Sequence, residues 1–220
     1  MKTFHELQKG LYDPNIFKAF FIAGGPGIGN SYVALQATGG TGLKTINSDD
    51  AFEHLLKRAG LSLKMPPKET EPRDVVRARA KKVTAAKEKN YLEGRLGLII
   101  DGTGRDADKI LSQKAKLEEL GYDTYMIFVN TSLDVALERN ADRPRSVAEP
   151  IVVNRHKDVQ ANIGKFSNMF RAGFIVVDNN NAGEDVFKEV YKRVKGLLRK
   201  KVKNARAKNW MASELAKRQR

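Results

Sequence analysis

The chain has 220 residues, 41% hydrophobic and 30% charged, with a formal charge of +14, enough length for one α/β domain with appendages and a substantial core. With no cysteine it has no disulfide or thiolate metal site, and His5, His54 and His156 show no metal-ligand spacing. No apolar run approaches the ~20 residues of a membrane span, and Met1-Lys2-Thr3-Phe4-His5-Glu6 lacks the apolar core of a signal peptide, so a cytoplasmic protein without a membrane partner is expected.

The first expected strand is the apolar run 17–23. It leads into Gly24-Gly25-Pro26-Gly27-Ile28-Gly29-Asn30-Ser31 and then a helix over 30–37. The spacing is that of a phosphate-binding loop, G-x-x-x-x-G-K-[ST], in which backbone N–H groups wrap nucleotide phosphates and the hydroxyl takes Mg²⁺. Ser31 and the glycines are in register, but Asn30 stands where the lysine belongs. A helix starting here would also turn its N-terminal dipole toward the phosphates.

A second strand is expected at 43–48, followed by a helix at 50–59. Between them, Asn47-Ser48-Asp49-Asp50-Ala51-Phe52-Glu53 has two compatible readings. Asp50 and Glu53 have capping-box spacing, while Asp49 at a strand end can accept a proton from an acceptor hydroxyl. Pro66-Pro67 and Pro72 mark a short linker before a charged helix at 73–93. Arg73, Arg77 and Lys81 share one face of it, as a solvated surface or as contacts to an acceptor.

The third strand, 96–101, ends in Asp101-Gly102-Thr103-Gly104-Arg105 and is followed by a helix at 105–120. An acid after an apolar strand matches the second carboxylate of phosphate-loop proteins, which holds Mg²⁺ directly or through water; its plainer reading is a helix cap. Arg105 can hold a substrate phosphate or pair with Asp108. A fourth strand at 122–130 precedes a helix at 131–142. Arg139 and Arg143 share a face of that helix, and Pro144 leaves Arg143 and Arg145 on a segment suited to closing over polyphosphate. A helix at 150–164 and a fifth strand at 174–179 complete the alternation, which predicts a parallel sheet with helices on both faces and ligands beyond the carboxyl ends of the strands.

Helix 184–200 begins a basic tail. From Lys192 to Arg220 there are twelve Lys or Arg and only one acid, Glu214, a net +11 that leaves +3 for the rest. A tail of one sign usually serves a polyanion, so nucleic acid is an expected partner of residues 192–220. Trp210 and Met211 are its only large apolar pair, and the sequence leaves its order open.

The order of phosphate loop, Asn-x-Asp-Asp, strand–Asp-x-Thr and Arg-Asn-x-x-Arg before a proline resembles the kinase domain of bacteriophage polynucleotide kinase. It is also similar to the zeta-toxin group of P-loop kinases. The resemblance spans roughly 17–180 and implies a P-loop NTPase three-layer sandwich with a five-stranded, mostly parallel sheet and a basic helical C-terminal tail. The expected division is a kinase domain at 1–183, with an acceptor-covering insertion at about 57–95, and the tail at 184–220. It implies ATP and Mg²⁺ as cofactors, with Gly24 to Ser31 and Arg145 on the nucleotide and Ser31 and Asp101 on the metal side. Asp49 would be the general base and Arg139 and Arg143 the lid arginines. Asp101, Thr103, Arg105, Arg73 and Arg77 would face a hydroxyl-bearing acceptor.

Two departures matter. Polynucleotide kinases place an arginine shortly after the Asp-Asp pair to hold the acceptor phosphate, where this chain has Phe52. Asn30 offers a neutral donor in place of an ammonium. The expected function is therefore a γ-phosphoryl transfer to a hydroxyl of a nucleotide, polynucleotide or related small molecule, impaired at Asn30. The alternative is a catalytically weak, nucleotide-gated nucleic-acid-binding protein or an ATPase.

Overall fold

In the computed structural model, residues 10–64, 66–143 and 146–218 are described. Five strands form one sheet: β1 (Lys18–Ala23), β2 (Lys44–Ile46), β3 (Leu98–Gly102), β4 (Asp123–Asn130) and β5 (Phe174–Asp178). Their order is β2-β3-β1-β4-β5, and every pairing is parallel. β1 is buried along its whole length, as expected of a central parallel strand covered on both faces.

The pleat sends Phe20 and Ile22 to one face and Ala19, Phe21 and Ala23 to the other, and each set joins a separate core cluster. On the first face lie α1 (Asn30–Thr38) and, further along the chain, α8 (Glu184–Leu198), which buries Phe187, Val190, Val194 and Leu197. On the second lie α4 (Ala107–Glu119) and α7 (Ile163–Phe170), with Leu117, Phe166 and Phe170 packed against Phe21, Met126 and Phe128. Lys18, 2% exposed, sits opposite Asp123 in the β1–β4 register and donates to its carboxylate at 2.5 Å. Burying that amine is tolerable because its charge is paired.

α2 (Ser48–Arg58) and α3 (Thr70–Glu93) pair beside the β2 edge around a small core of Phe52, Leu56 and Ala80. α5 (Leu133–Ala141) and α6 (Glu149–Ala161) follow β4. The single helix expected at 150–164 is two helices, because the chain breaks at Asn162, whose amide donates to Gly104 O at 3.2 Å and Arg105 O at 2.8 Å. β2 is shorter than the expected 43–48, since Asn47 leaves the sheet to cap α2.

The tail is ordered through α9 (Ala205–Arg218). Ala207 is fully buried, and Trp210 meets Phe17 edge-on at 5.5 Å under the Arg95 guanidinium. Arg206 Nη1 donates to Glu119 O at 2.8 Å. Contacts therefore run across the expected 183/184 boundary: α8 shares the core with α1, and α9 closes the opposite face. Because Trp210 joins α9 to β1, Trp210→Ala should cost about 2–3 kcal/mol of stability, less than a fully buried Trp. Urea denaturation measures the loss, and hydrogen exchange should quicken in 205–218 before β1. Unchanged stability would show that the docking contributes nothing.

Candidate functional site

The loop after β1 must pass under α5. A side chain at Gly27 would put Cβ 2.2 Å from Ala136 O, and its φ of +80° suits glycine. Ile28 is buried in the core, and its carbonyl accepts from Asn179 Nδ2 at 2.7 Å. The loop is thus held rigid from two sides, with the first turn of α1 at its end.

Asn30 Nδ2 donates to Gly24 O at 3.2 Å and Gly102 O at 3.3 Å, tying the ends of β1 and β3. Its Oδ1 is buried and, among the described residues, has no hydrogen-bond partner. The amide therefore braces the cradle and brings it no positive charge.

Asn47 organises the carboxylates. As the N-cap of α2 its Oδ1 accepts from Asp49 N at 2.7 Å, while Nδ2 donates to Asp101 Oδ2 at 2.8 Å and to Asp50 Oδ1 at 3.3 Å. The cap expected of Asp50 is made by Asn47, whose extended backbone (φ −140°, ψ 121°) is the usual cap geometry. Asp101 lies on β3 and caps nothing, since Asp106 caps α4 through Lys109 N at 2.9 Å. Burial pushes the Asp101 carboxyl up to about 6, the charges of Asp50 and Asp49 add to the rise, and a hydrogen bond from Ser31 opposes it. Ser31, Asp49, Asp50 and Asp101 thus meet beside the phosphate loop.

The remaining expected residues lie around this cluster. Thr103 and Arg105 line a cleft of about 760 Å³ that also reaches Ser48 and Asp101. Arg105 Nε lies 3.5 Å from Asp158 of α6, not on Asp108. Arg139 donates from both Nη atoms, at 2.7 and 2.8 Å, to the carbonyls of Asn179 and Asn180. Its guanidinium thereby fixes the loop after β5. Arg143 is exposed, two residues beyond the end of α5, and Arg145 lies outside the described residues. Arg77 stacks over the Phe52 ring at 4.1 Å and Arg73 lies 3.5 Å from Asp74, so both sit on the α2–α3 pair.

Sequence reasoning missed a set of asparagines. Asn140, 5% exposed, donates to the C=O and accepts from the N–H of Val147, fixing that residue against α5. Asn162 and Asn179 donate from their amides to carbonyls of neighbouring loops. For Asn140, a polar side chain inside a helix was the available signal.

A glycine-lined loop at a helix N-terminus, with a hydroxyl and a half-buried carboxylate beside it, fits a nucleotide with Mg²⁺. Ser31 and Asp101, beside the loop, are the groups that would hold the ion together with nucleotide oxygens; although Asp49 and Asp50 are near, among the described residues no three His, Cys, Asp or Glu side chains are placed to hold a metal by themselves. Among the described residues no helix is long and apolar enough to cross a membrane.

This fold and loop define a P-loop protein of kinase-like architecture. Residues 17–192 match the zeta toxin family model, and the chain belongs to that family. Among solved structures it is similar to a gluconokinase from Sinorhizobium meliloti (14% identity, 84% of this chain and 95% of that one, TM-score 0.51). It is also similar to a Chloroflexus aurantiacus protein thought to be a kinase (15% identity, 83% and 98%, TM-score 0.51). A chain of the Pnkp1/Rnl/Hen1 RNA repair complex matches at 18% identity over 69% of this chain and 47% of that one, TM-score 0.51. These likenesses establish the fold. No curated protein matches the sequence.

Because the fold disfavours ionised Asp101, its stability penalty is absent below the ordinary value of 3.8, grows as pH rises toward about 6, and is complete above that. Without nucleotide, Asp101→Asn should therefore stabilise the protein by about 1–3 kcal/mol at pH 7.5 and by almost nothing at pH 4. Thermal denaturation at both pH values checks this; equal gains at both would assign the effect to packing.

Proposed function

We propose that this chain is an ATP-dependent phosphotransferase that moves the γ-phosphoryl group to a hydroxyl of a nucleotide, a polynucleotide or a related small molecule, at a rate limited by Asn30. The observation that carries the reading is the meeting of Ser31, Asp49 and Asp101 beside a phosphate-binding loop at the carboxyl ends of β1, β2 and β3. Backbone N–H groups of residues 24–31, Pro26 excepted, hold the donor phosphates. Asp49 accepts the acceptor's hydroxyl proton as its oxygen forms a bond to the γ-phosphorus and the bond to the departing ADP oxygen breaks. Bound Mg²⁺ supplies charge neutralisation on the phosphates, with Ser31 and Asp101 as its protein-side groups. Arg143 and Arg145 close over the phosphates, and Arg139 positions the loop at 179–180. Thr103 and Arg105 face the acceptor across the cleft, while Arg73 and Arg77 support the helix pair beside it.

Asn30 lowers the expected rate. A charge-assisted hydrogen bond contributes about 1.5–3 kcal/mol, and losing one transition-state donor costs roughly 10²–10³ in rate. The Asn30 amide is already committed to Gly24 O and Gly102 O, which favours a second reading, a nucleotide-gated binding protein or slow ATPase.

A transfer screen with labelled ATP against nucleosides, nucleotide sugars and oligonucleotides decides between the readings. Asn30→Lys should tighten ATP binding about tenfold by calorimetry and raise transfer about 10²-fold. Equal affinity and rate in both forms would mean that another cation fills the lysine's place. In the Asn30→Lys background, Asp49→Asn should lower transfer by about 10²–10⁴ with ATP affinity nearly unchanged. Undiminished transfer would remove Asp49 from the mechanism.

A further inference from the structure

At the opposite end of the sheet from the phosphate loop, where β4 and β5 begin, lies a cleft of about 800 Å³. Its charged lining is Arg171, Lys200, Lys201 and Lys203 with Glu118 and Asp123. Both acids are already satisfied. Glu118 Oε1 accepts from Lys114 at 2.6 Å and from Thr124 at 2.8 Å, and Asp123 holds the buried Lys18. Among the described residues no carboxylate forms an ion pair with any of the four cations. They surround one concavity as net positive charge.

The arrangement is fixed at both ends. Lys200, Lys201 and Lys203 lie on the strap between α8, anchored by Val194 and Leu197, and α9, anchored by Ala207. Asn204 and Arg206 tie the strap to the carbonyls of Glu118 and Glu119. Arg171 holds a φ of +47°, a left-handed conformation that a side chain adopts at a cost.

We propose that this cleft is a binding site for a single-stranded phosphodiester chain, RNA or DNA. Its four cations lie on and beside a segment that carries +11 of the chain's +14, which suits a polyanion. An anionic membrane fits less well. A surface-lying helix needs an exposed apolar stripe, whereas Trp210 and Met211 of α9 are turned into the core beside Phe17, and Leu215 is its one large apolar residue that is well exposed. At roughly 3.3 Å per residue, the eight residues of β4 separate this cleft from the carboxyl ends of the strands by about 25 Å. Nucleotides held here are therefore not at Asp49, and the site acts as a tether. The inference stands independently of the phosphotransferase reading.

The test is fluorescence anisotropy on the full chain without ATP. The probes are labelled single-stranded RNA and DNA of about 20 nucleotides, titrated across salt. Lys200→Ser/Lys201→Ser/Lys203→Ser should weaken binding at least about tenfold and flatten the log–log salt slope by about 2, at about 0.7 per lost contact. Arg171→Gly should flatten it by about 0.7 while thermal stability holds or rises, because glycine accepts the positive φ. A charge-matched control, Lys57→Ser/Lys157→Ser/Lys188→Ser, should bind within about twofold of the parent if the cleft is the site. Tighter binding of RNA or of DNA identifies which chain is preferred, and either supports the proposal. Equal loss in the control would assign the affinity to diffuse charge and overturn it. Binding to phosphatidylserine vesicles with no binding of either oligonucleotide would overturn it in favour of a membrane.

Discussion

Half-burying Asp101 beside two further carboxylates is electrostatically unfavourable, and the carboxyl ends of β1, β2 and β3 are arranged around that cost. The Asn47 amide and the Ser31 hydroxyl both donate toward Asp101, yet its carboxyl still rises to about 6 because burial and the charges of Asp50 and Asp49 outweigh them. Ser31 belongs to the helix after β1, Asn47 follows β2, and Asp101 is on β3. One network therefore connects three strand ends that are far apart in sequence. The parallel register makes this possible by bringing Ile22 level with Asp101 and Ile46 level with Ile100. A stored penalty of this kind is typical of places where stability is given up for chemistry.

What could be read from the sequence was what depends on local pattern. Period-2 and continuous apolar runs located all five strands, because β1 and β4 are buried on both faces and leave little room for polar residues. The phosphate loop was legible because glycine spacing is a backbone requirement. Long-range partners were not legible. Asp50 looked like the cap of α2 because the capping box is a local rule, but Asn47 takes that place while reaching 54 residues onward to Asp101. Asn162 breaks a helix only because Gly104 and Arg105 present carbonyls to it from 57 or 58 residues away. Arg139 reads as a free cation until the loop after β5 is seen to supply two carbonyls. Docking of α9 depended on Trp210 finding Phe17, a contact between opposite ends of the chain.

Sheet polarity also separates the two charged regions. Parallel strands collect every carboxyl end on one side, where the acids and the phosphate loop lie, and every amino end on the other. The basic strap between α8 and α9 crosses the second side. Collected at the carboxyl ends of the strands, those lysines would favour the ionised form of Asp101 and bring its pKa down. Placed at the far end they do not oppose the burial and the Asp50 and Asp49 charges that raise the Asp101 carboxyl to about 6.

Asn30 and Asp101 point in different directions about catalysis, and their energetic consequences are unequal. Asn30 is structurally useful as it stands, because its amide joins the ends of β1 and β3 through Gly24 and Gly102. Its presence therefore does not require a chain that has lost its ligand. The hydrogen-bond network that Asp101 accepts does not need a charge there. Asp101 caps no helix, and an asparagine in its place could accept from Asn47 and donate to Ser31 without carrying a half-buried charge. An ionisable group held at that cost is best accounted for by a bound partner that restores the lost solvation, and a cation beside nucleotide phosphates does so. Both consequences support the proposed phosphotransferase, slowed at Asn30, over a nucleotide fold kept only as a scaffold.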